Sequence, residues 1–157
     1  MTISVRDLEP NDIPGCARIL GSLPDWFGME ESNRAYIASL ATSPGAVAVD
    51  GEAIVGFIAL IEHFETSYEI NVMAVPREQH RHGIGARLID WAEAWCRARS
   101  IPWLHVKTRG PATPDPEYER TRRFYLAMGY APLFESLTLW GPENAALVLV
   151  KHLGASP

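Results

Sequence analysis

The sequence has few of the features that mark secreted, membrane-bound or nucleic-acid-binding proteins. It holds two cysteines, Cys16 and Cys96, which fall in different predicted helices and form neither a disulfide nor a metal-ligand pattern. The longest apolar run, residues 53–61, is too short to cross a membrane, and residues 1–15 contain no signal-peptide core. A net charge of −5 without a long basic run argues against non-specific nucleic-acid binding. We therefore expect a reduced, cytoplasmic protein that binds neither nucleic acid nor a membrane.

The chain is rich enough in apolar residues to form one core. Its 157 residues are 47% hydrophobic, which suits a single domain over residues 1–157. Asp50-Gly51 separates two apolar runs and is a strong hairpin signal. We predict strands at residues 3–8, 47–49, 53–61, 68–75, 103–108, 133–140 and 145–153, and helices at residues 12–20, 30–40, 83–99 and 117–128. This order predicts an α/β (α+β) fold with a mixed, mainly antiparallel sheet of six to seven strands and helices on both faces.

The most informative stretch is residues 69–88. An apolar strand pattern stops at Pro76, and a basic turn leads into Gly83-Ile84-Gly85, after which apolar residues recur at helical spacing. A glycine-rich turn that opens a helix presents unpaired backbone N–H groups and the positive end of the helix dipole, which together bind pyrophosphate or another anion. Residues 77–87 carry three arginines against one glutamate, a formal charge of +2 in an acidic chain. The stretch therefore predicts a site for a phosphorylated cofactor.

Two familiar phosphate-binding motifs are excluded by the residues that follow Gly85. A P-loop needs Lys-Ser/Thr after the glycines, and here Ala86-Arg87 follows Gly85; a dinucleotide fingerprint needs glycine where Leu88 stands. The segment His80-Arg81-His82-Gly83-Ile84-Gly85 instead resembles the coenzyme A loop of the GNAT N-acetyltransferases, R/Q-x-x-G-x-G/A, and departs from it at His80. About 40 residues later, the segment from Thr121 to Tyr130 resembles the closing helix of that family, R-x-F-Y-x-x-x-G-F. The resemblance covers nearly the whole chain.

The resemblance implies acetyl-CoA as a co-substrate and no metal. It places the thioester beside the strand that carries Met73, Ala74 and Val75, whose main chain would hold the pantetheine arm or the thioester carbonyl. The expected contacts around the pyrophosphate are His80, Arg81, His82, Gly83, Ile84, Gly85 and Ala86. Tyr118 is a further expected cofactor contact, because it stands where many members carry an asparagine that binds the cofactor, and simple helix packing is an equal alternative.

Acetyl transfer to an amine needs a neutral nucleophile, stabilisation of an oxyanion, and a proton for the leaving thiolate. The F-Y-x-x-x-G context makes Tyr125 the candidate general acid. Proton transfer from tyrosine to a thiolate is uphill by about 1.5 pKa units, or roughly 2 kcal/mol. Its alternative is a tyrosine that packs on the sheet. In several enzymes of the family a glutamate at the strand position of Glu69 acts as the base, directly or through water, which makes Glu69 the candidate base. Its alternative is a solvated carboxylate at a strand end. His63 and His105 are lesser candidates for the base, since histidine titrates near neutral pH.

The acceptor side is less well defined. Trp26 and Phe27 fall in the loop that covers the acceptor in this family, where they would form an apolar wall, unless they only anchor the loop. Glu69 and Asn71 share a strand face and complete the candidate acceptor site. We expect direct transfer in a ternary complex to a primary amine of a small molecule or peptide. The alternatives are a non-catalytic module that binds or senses acyl-CoA and, less favoured, transfer to oxygen or of a longer acyl group. Residues 133–140 and 145–153 are where a possible homodimer contact is expected.

Overall fold

The computed structural model describes residues 2–24, 30–80 and 82–154 of the chain. Its strands are β1 (Ile3–Asp7), β2 (Gly45–Asp50), β3 (Ala53–Phe64), β4 (Ser67–Ala74), β5 (Trp103–Arg109), β6 (Ala131–Ser136) and β7 (Ala146–His152). Its helices are α1 (Ile13–Gly21), α2 (Glu30–Leu40), α3 (Ile84–Ala98) and α4 (Pro116–Ala127), with short 3₁₀ turns at Pro10–Asp12 and Arg77–Gln79. Across the described ranges, no helix is both long and apolar enough to cross a membrane.

The strands of the described residues belong to a mixed, mainly antiparallel seven-stranded sheet, which confirms the predicted fold class. The chain forms two compact units, the first from Met1–Ile61 and Ile70–Trp95, the second from Glu62–Glu69 and Cys96–Pro157. In the first unit the strand order is β1-β2-β3-β4, and β2 is antiparallel to both β1 and β3. The hairpin that Asp50-Gly51 predicts is therefore present.

Helices pack on both faces of the first unit because neighbouring residues of β3 point in opposite directions. Phe57 joins a buried apolar cluster with Leu20 of α1 and Leu40 of α2. Gly56, the residue before it, faces α3: a Cβ atom there would lie 3.0 Å from Cγ2 of Ile84. Burial of each large apolar side chain in this cluster contributes about 1.5–3 kcal/mol to folding. The close approach at Gly56 fixes where α3 begins relative to the sheet of this unit.

In the second unit β7 lies between β5 and β6 and is antiparallel to both. Helix α4 begins at Pro116, after Asp115, whose side chain accepts a 3.0 Å hydrogen bond from the backbone N–H of Glu117. Two residues after the end of α4, Gly129 has a φ of +93°. Helix α4 lies within one residue of the predicted bounds, 117–128, because an aspartate cap and a glycine in the left-handed region set both ends by local chemistry.

The prediction of a strand over residues 133–140 is wrong at both ends. Strand β6 starts two residues earlier and stops at Ser136. There the Ser136 hydroxyl accepts hydrogen bonds from the backbone N–H groups of Thr138 (3.2 Å) and Leu139 (3.1 Å). A side-chain oxygen that satisfies nearby N–H groups competes with the strand ladder and turns the chain. The mostly apolar residues that follow, Leu137 to Trp140, therefore do not continue the strand.

Candidate active site

The turn between β4 and α3 has the geometry of an anion-binding loop. Gly83 has a φ of +74°, in a region that residues with a side chain rarely adopt, and the space around it is open. Helix α3 starts at the next residue, Ile84, which is buried, while Gly85 and Ala86 are half-buried. The first-turn N–H groups of a helix have no partner within the helix, so this turn offers donors to a ligand.

His80 ties this loop to the end of β4. Its Nε2 lies 2.7 Å from the carbonyl oxygen of Val75, so that nitrogen donates to the chain itself. Along β4, Val72 and Ala74 are buried, whereas Asn71 and Met73 are half-buried. Since alternate residues share a face, the half-buried side chains lie on the less covered side of the strand. His80, which departs from the family motif, therefore has a structural role: its ring holds the loop to the backbone at the end of β4.

Asn71, the predicted acceptor-site residue on β4, lies near the second helix. Its side-chain nitrogen is 3.5 Å from the hydroxyl oxygen of Ser39 in α2, and that hydroxyl donates to the carbonyl of Tyr36 at 2.7 Å. The contact is long for a hydrogen bond and holds the amide only weakly. Asn71 therefore links β4 to α2 within the first unit.

Glu69 is the centre of a cluster of polar side chains in the second unit. The residue is buried, with 6% of its surface exposed. Three side chains converge on the same carboxylate oxygen, Oε1: His63 Nε2 at 2.6 Å, Lys107 Nζ at 3.2 Å and His105 Nε2 at 3.6 Å. The His63 and His105 rings lie with their centroids 5.0 Å apart. We refer to these four residues as the Glu69 cluster.

Electrostatics hold Glu69 in its charged form. Burial by itself would raise the pKa of this carboxyl group, but the nearby imidazoles of His105 and His63 and the ammonium group of Lys107 outweigh it and lower the pKa to about 2. At neutral pH the group is a carboxylate that only accepts hydrogen bonds. Such a group is a weak base, because it gives up a proton far below the pH at which an amine loses one.

The donor set of the Glu69 cluster resembles that of a two-histidine, one-carboxylate metal site. The ligand atoms of His63, Glu69 and His105 all lie within 4.8 Å of one another. Lys107, however, places an ammonium group 3.2 Å from Oε1 of the same carboxylate. The ammonium group would repel a cation bound to this carboxylate, and the contacts present form an ion cluster.

Tyr125 is buried on the inner side of α4. It is 4% exposed, and its ring meets the edges of Phe124 and Tyr130 with centroids 5.2 and 5.8 Å away. Burial raises the pKa of the Tyr125 hydroxyl above its ordinary value, so the group stays protonated over the whole working range of pH. This environment fits both readings of the sequence, a proton donor and a packed aromatic residue.

Tyr118 lies in the first turn of α4 and stacks against Arg109. The Arg109 guanidinium carbon is 5.8 Å from the centre of the Tyr118 ring, within the range of a cation–π contact. One guanidinium nitrogen of Arg109 lies 3.4 Å from the Asp115 carboxylate, and its Nε is buried without a hydrogen-bond partner in the described part of the chain. The sequence predicts a role for Tyr118 but gave no reason to single out Arg109.

A family comparison identifies the class of protein. The model of the acetyltransferase (GNAT) domain matches residues 41–132, more than half of the chain. The chain belongs to the GNAT acetyltransferase family. The matched region runs from β2 to the start of β6 and contains the Gly83 turn, the Glu69 cluster and Tyr125.

Solved structures of acetyltransferases share the fold over the whole chain. A GNAT-family protein from Desulfovibrio desulfuricans superposes with a TM-score of 0.86 at 16% identity, covering 98% of this chain and 100% of its own. An aminoglycoside 6'-N-acetyltransferase complexed with coenzyme A gives 0.78 at 19%, covering 100% and 99%. The ribosomal-protein-S18-alanine N-acetyltransferase from Escherichia coli gives 0.78 at 13%, covering 99% and 97%. Among curated proteins, none matches this sequence significantly. At these identities the structures establish the fold alone.

Three residues of the predicted site of this GNAT protein fall outside the described residues: Trp26, Phe27 and Arg81. The sequence indicated Glu69, His63 and His105 as candidates for the base, but it did not indicate Lys107. A signal was present: His105 and Lys107 are two residues apart in a strand and therefore share a face with Arg109, opposite the buried Leu104 and Val106.

Proposed function

We propose that residues 1–157 form one domain that transfers an acetyl group from acetyl-CoA to a primary amine of a small molecule or peptide. The observation that carries this proposal is the Gly83 turn, which lies between β4 and α3 and opens α3 within the region that matches the GNAT family. Its free N–H groups suit the pyrophosphate of coenzyme A. Acetyl-CoA would supply the activated acetyl thioester.

The residues of this segment fit the proposed co-substrate. The exposed His82 and Gly83 and the first turn of α3, from Ile84 to Ala86, leave backbone donors on the surface for phosphate oxygens. Met73, Ala74 and Val75 would meet the pantetheine arm through main-chain groups, as the family resemblance implies. His80, by fastening the Val75 carbonyl, would keep the strand end and the phosphate loop in a fixed relation.

In the proposed reaction Tyr125 donates a proton to the leaving sulfur. Its burial keeps the hydroxyl protonated, and it makes the donation more costly than ordinary pKa values indicate. Desolvation also makes the leaving thiolate a stronger base, which offsets part of that cost. Glu69 would act on the other side of the reaction, where the amine loses a proton.

Direct transfer in a ternary complex is supported by the state of the cysteines. Cys16 and Cys96 are both buried, and burial raises the pKa of the Cys16 thiol to about 12. A thiol that stays protonated is a poor nucleophile, so an acetyl-cysteine intermediate is not part of the proposal. The similar structures include an aminoglycoside N-acetyltransferase and a ribosomal-protein-alanine N-acetyltransferase, and either class of acceptor would suit this proposal.

The proposal is tested first by ligand-induced stabilisation. Acetyl-CoA and CoA at a hundred times their dissociation constants should each raise the free energy of unfolding by about 2.7 kcal/mol, whereas NAD and ATP should not. The measurement is thermal unfolding of the purified protein, followed by a screen of amines for CoA release. No stabilisation would contradict the proposal. Stabilisation without turnover of any amine would instead indicate a module that binds or senses acyl-CoA.

A matched pair of glycine variants separates backbone strain from loss of the binding loop. Gly83→Ala and Gly51→Ala both force alanine into a positive φ, +74° and +62°, with open space around the new Cβ atom. Each should therefore lower the free energy of unfolding by about 1 kcal/mol. We expect only Gly83→Ala to weaken acetyl-CoA binding, measured by calorimetry, because Gly51 lies in the hairpin between β2 and β3. Equal affinities for the two variants would argue against the loop as the pyrophosphate site.

A further inference from the structure

The Glu69 cluster contains a group better placed than Glu69 to take a proton. Glu69 is buried, and its Oε1 already has three side-chain nitrogens within 3.6 Å, one of them from a lysine. His63, in contrast, has 38% of its side chain exposed and lies closest to that oxygen, at 2.6 Å. The exposed member of the pair is therefore the one that a substrate in solution can reach.

The hydrogen bond to Glu69 determines which nitrogen of His63 is available. Because the carboxylate is ionised and can only accept, Nε2 must carry a hydrogen and donate it. In the neutral ring this leaves Nδ1 with a lone pair. Within residues 2–24, 30–80 and 82–154, the His63 ring makes no other hydrogen bond. Nδ1 is thus both basic and unengaged by the described part of the chain.

We propose that His63 accepts the proton of the attacking amine at Nδ1, and that Glu69 is a positioning residue that orients the ring. This inference rests on the proposed function and deepens it. In the step, the amine nitrogen bonds to the acetyl carbon as the C–S bond breaks. The electron pair leaves on sulfur, which Tyr125 protonates, and the surplus proton of the nitrogen goes to Nδ1. His63 and Tyr125 then exchange protons with water to return to their starting states.

The charges around His63 support this division of roles. The titratable and charged groups around this contact are Glu69 on β4 and His105 and Lys107 on β5. The carboxylate lies 2.6 Å from His63 and 3.2 Å from Lys107, so the imidazole ring has the closer contact with the negative charge. His105 is the weaker candidate, because its side chain is 18% exposed and lies 3.6 Å from Oε1.

Chemical rescue of the purified full-length protein tests the assignment. His63→Ala should lower kcat with a screened amine by about 10²- to 10⁴-fold without changing the stabilisation by acetyl-CoA. Added imidazole should restore part of this loss, because it replaces the missing base. Glu69→Gln should lower kcat less, and imidazole should not restore it. His152→Asn, which removes an exposed histidine packed on the Trp103 ring, is the control and should retain wild-type activity.

Two results would overturn the assignment while leaving the proposed function intact. One is a His63→Ala enzyme with wild-type kcat, and the other is rescue of Glu69→Gly by formate, which would make the carboxylate the base. A wild-type protein that acetylates no amine would instead overturn the proposed function, and this inference with it. The acetyl-CoA stabilisation, measured on the same samples, separates these failures.

The tautomer of His63 provides a readout that does not depend on activity. In the neutral form of the wild-type ring, the ¹⁵N chemical shifts should report that the hydrogen is on Nε2. Glu69→Gln should shift the ring toward a mixture of tautomers, because its side-chain amide can both donate and accept. A wild-type ring protonated at Nδ1 would have no lone pair there, and this result would contradict the proposal.

Discussion

Replacing Tyr125 with phenylalanine should lower kcat by about 10²- to 10⁴-fold while acetyl-CoA binding stays unchanged. The substitution removes one oxygen atom from a side chain that is 4% exposed and keeps its ring contacts with Phe124 and Tyr130. Because the ring stays packed, the protein should fold normally. The lost function is the proton that the leaving sulfur needs. Steady-state kinetics with the best amine from the screen, together with calorimetry of acetyl-CoA, would measure both quantities.

The matched control for this prediction is Tyr130→Phe. Tyr130 is also buried, at 2% exposure, and lies in the same aromatic group, so this variant likewise removes one buried hydroxyl. If the effect of Tyr125→Phe came from packing or from loss of any buried hydroxyl, the two variants would lose similar activity. A Tyr125→Phe enzyme that keeps wild-type kcat would leave Tyr125 as a packed aromatic residue, the alternative that its sequence position allows.

Glu69→Gln should cost about 3 kcal/mol of unfolding free energy at neutral pH, and this cost should shrink in acid. In the folded protein the pKa of Glu69 is lowered from its ordinary 4.5 to about 2. A lowered pKa means that the charged form stabilises the fold. That stability is fully present above the unfolded value of about 4.5 and is lost as pH falls toward 2. Removing the charge also leaves Lys107 without its buried partner.

Urea unfolding at a series of pH values between neutral and about 3 measures this effect. The difference between wild type and Glu69→Gln should narrow steadily below a pH of about 4.5. Glu65→Gln changes an exposed glutamate near the turn between β3 and β4, and it should shift stability by no more than about 0.5 kcal/mol. A constant difference between wild type and Glu69→Gln at every pH would show that the carboxylate charge is not what stabilises the cluster.

The parts of the structure that sequence predicts well are those decided by local chemistry. Three such features each depend on a few adjacent residues, so the amino-acid sequence alone indicates them: the cap at Asp115, the glycine after α4 and the Asp50-Gly51 hairpin. The Gly83 turn is similar, since its positive φ and the helix that follows lie within a short stretch.

The parts that sequence does not predict depend on which residues meet over long separations. Glu69 and Lys107 are 38 positions apart, and nothing in either strand alone shows that the two side chains meet at one oxygen. The early end of β6 is a second case. The many apolar residues of 133–140 favour a strand, but the Ser136 hydroxyl accepts hydrogen bonds from nearby backbone N–H groups and ends it. A role for a glutamate can thus be inferred from its motif, while its basicity depends on neighbours that the motif does not contain.

The pairing of Glu69 with Lys107 also affects how an acceptor approaches. The two opposite charges nearly cancel beyond their immediate surroundings, so the cluster adds little to the long-range field of the protein. Attraction of a cationic acceptor would then come from the net charge of −5 spread over the surface, which salt screens over about 10 Å. The ionic strength of the medium would therefore govern how fast such an acceptor arrives, and the Glu69 cluster would act only after arrival.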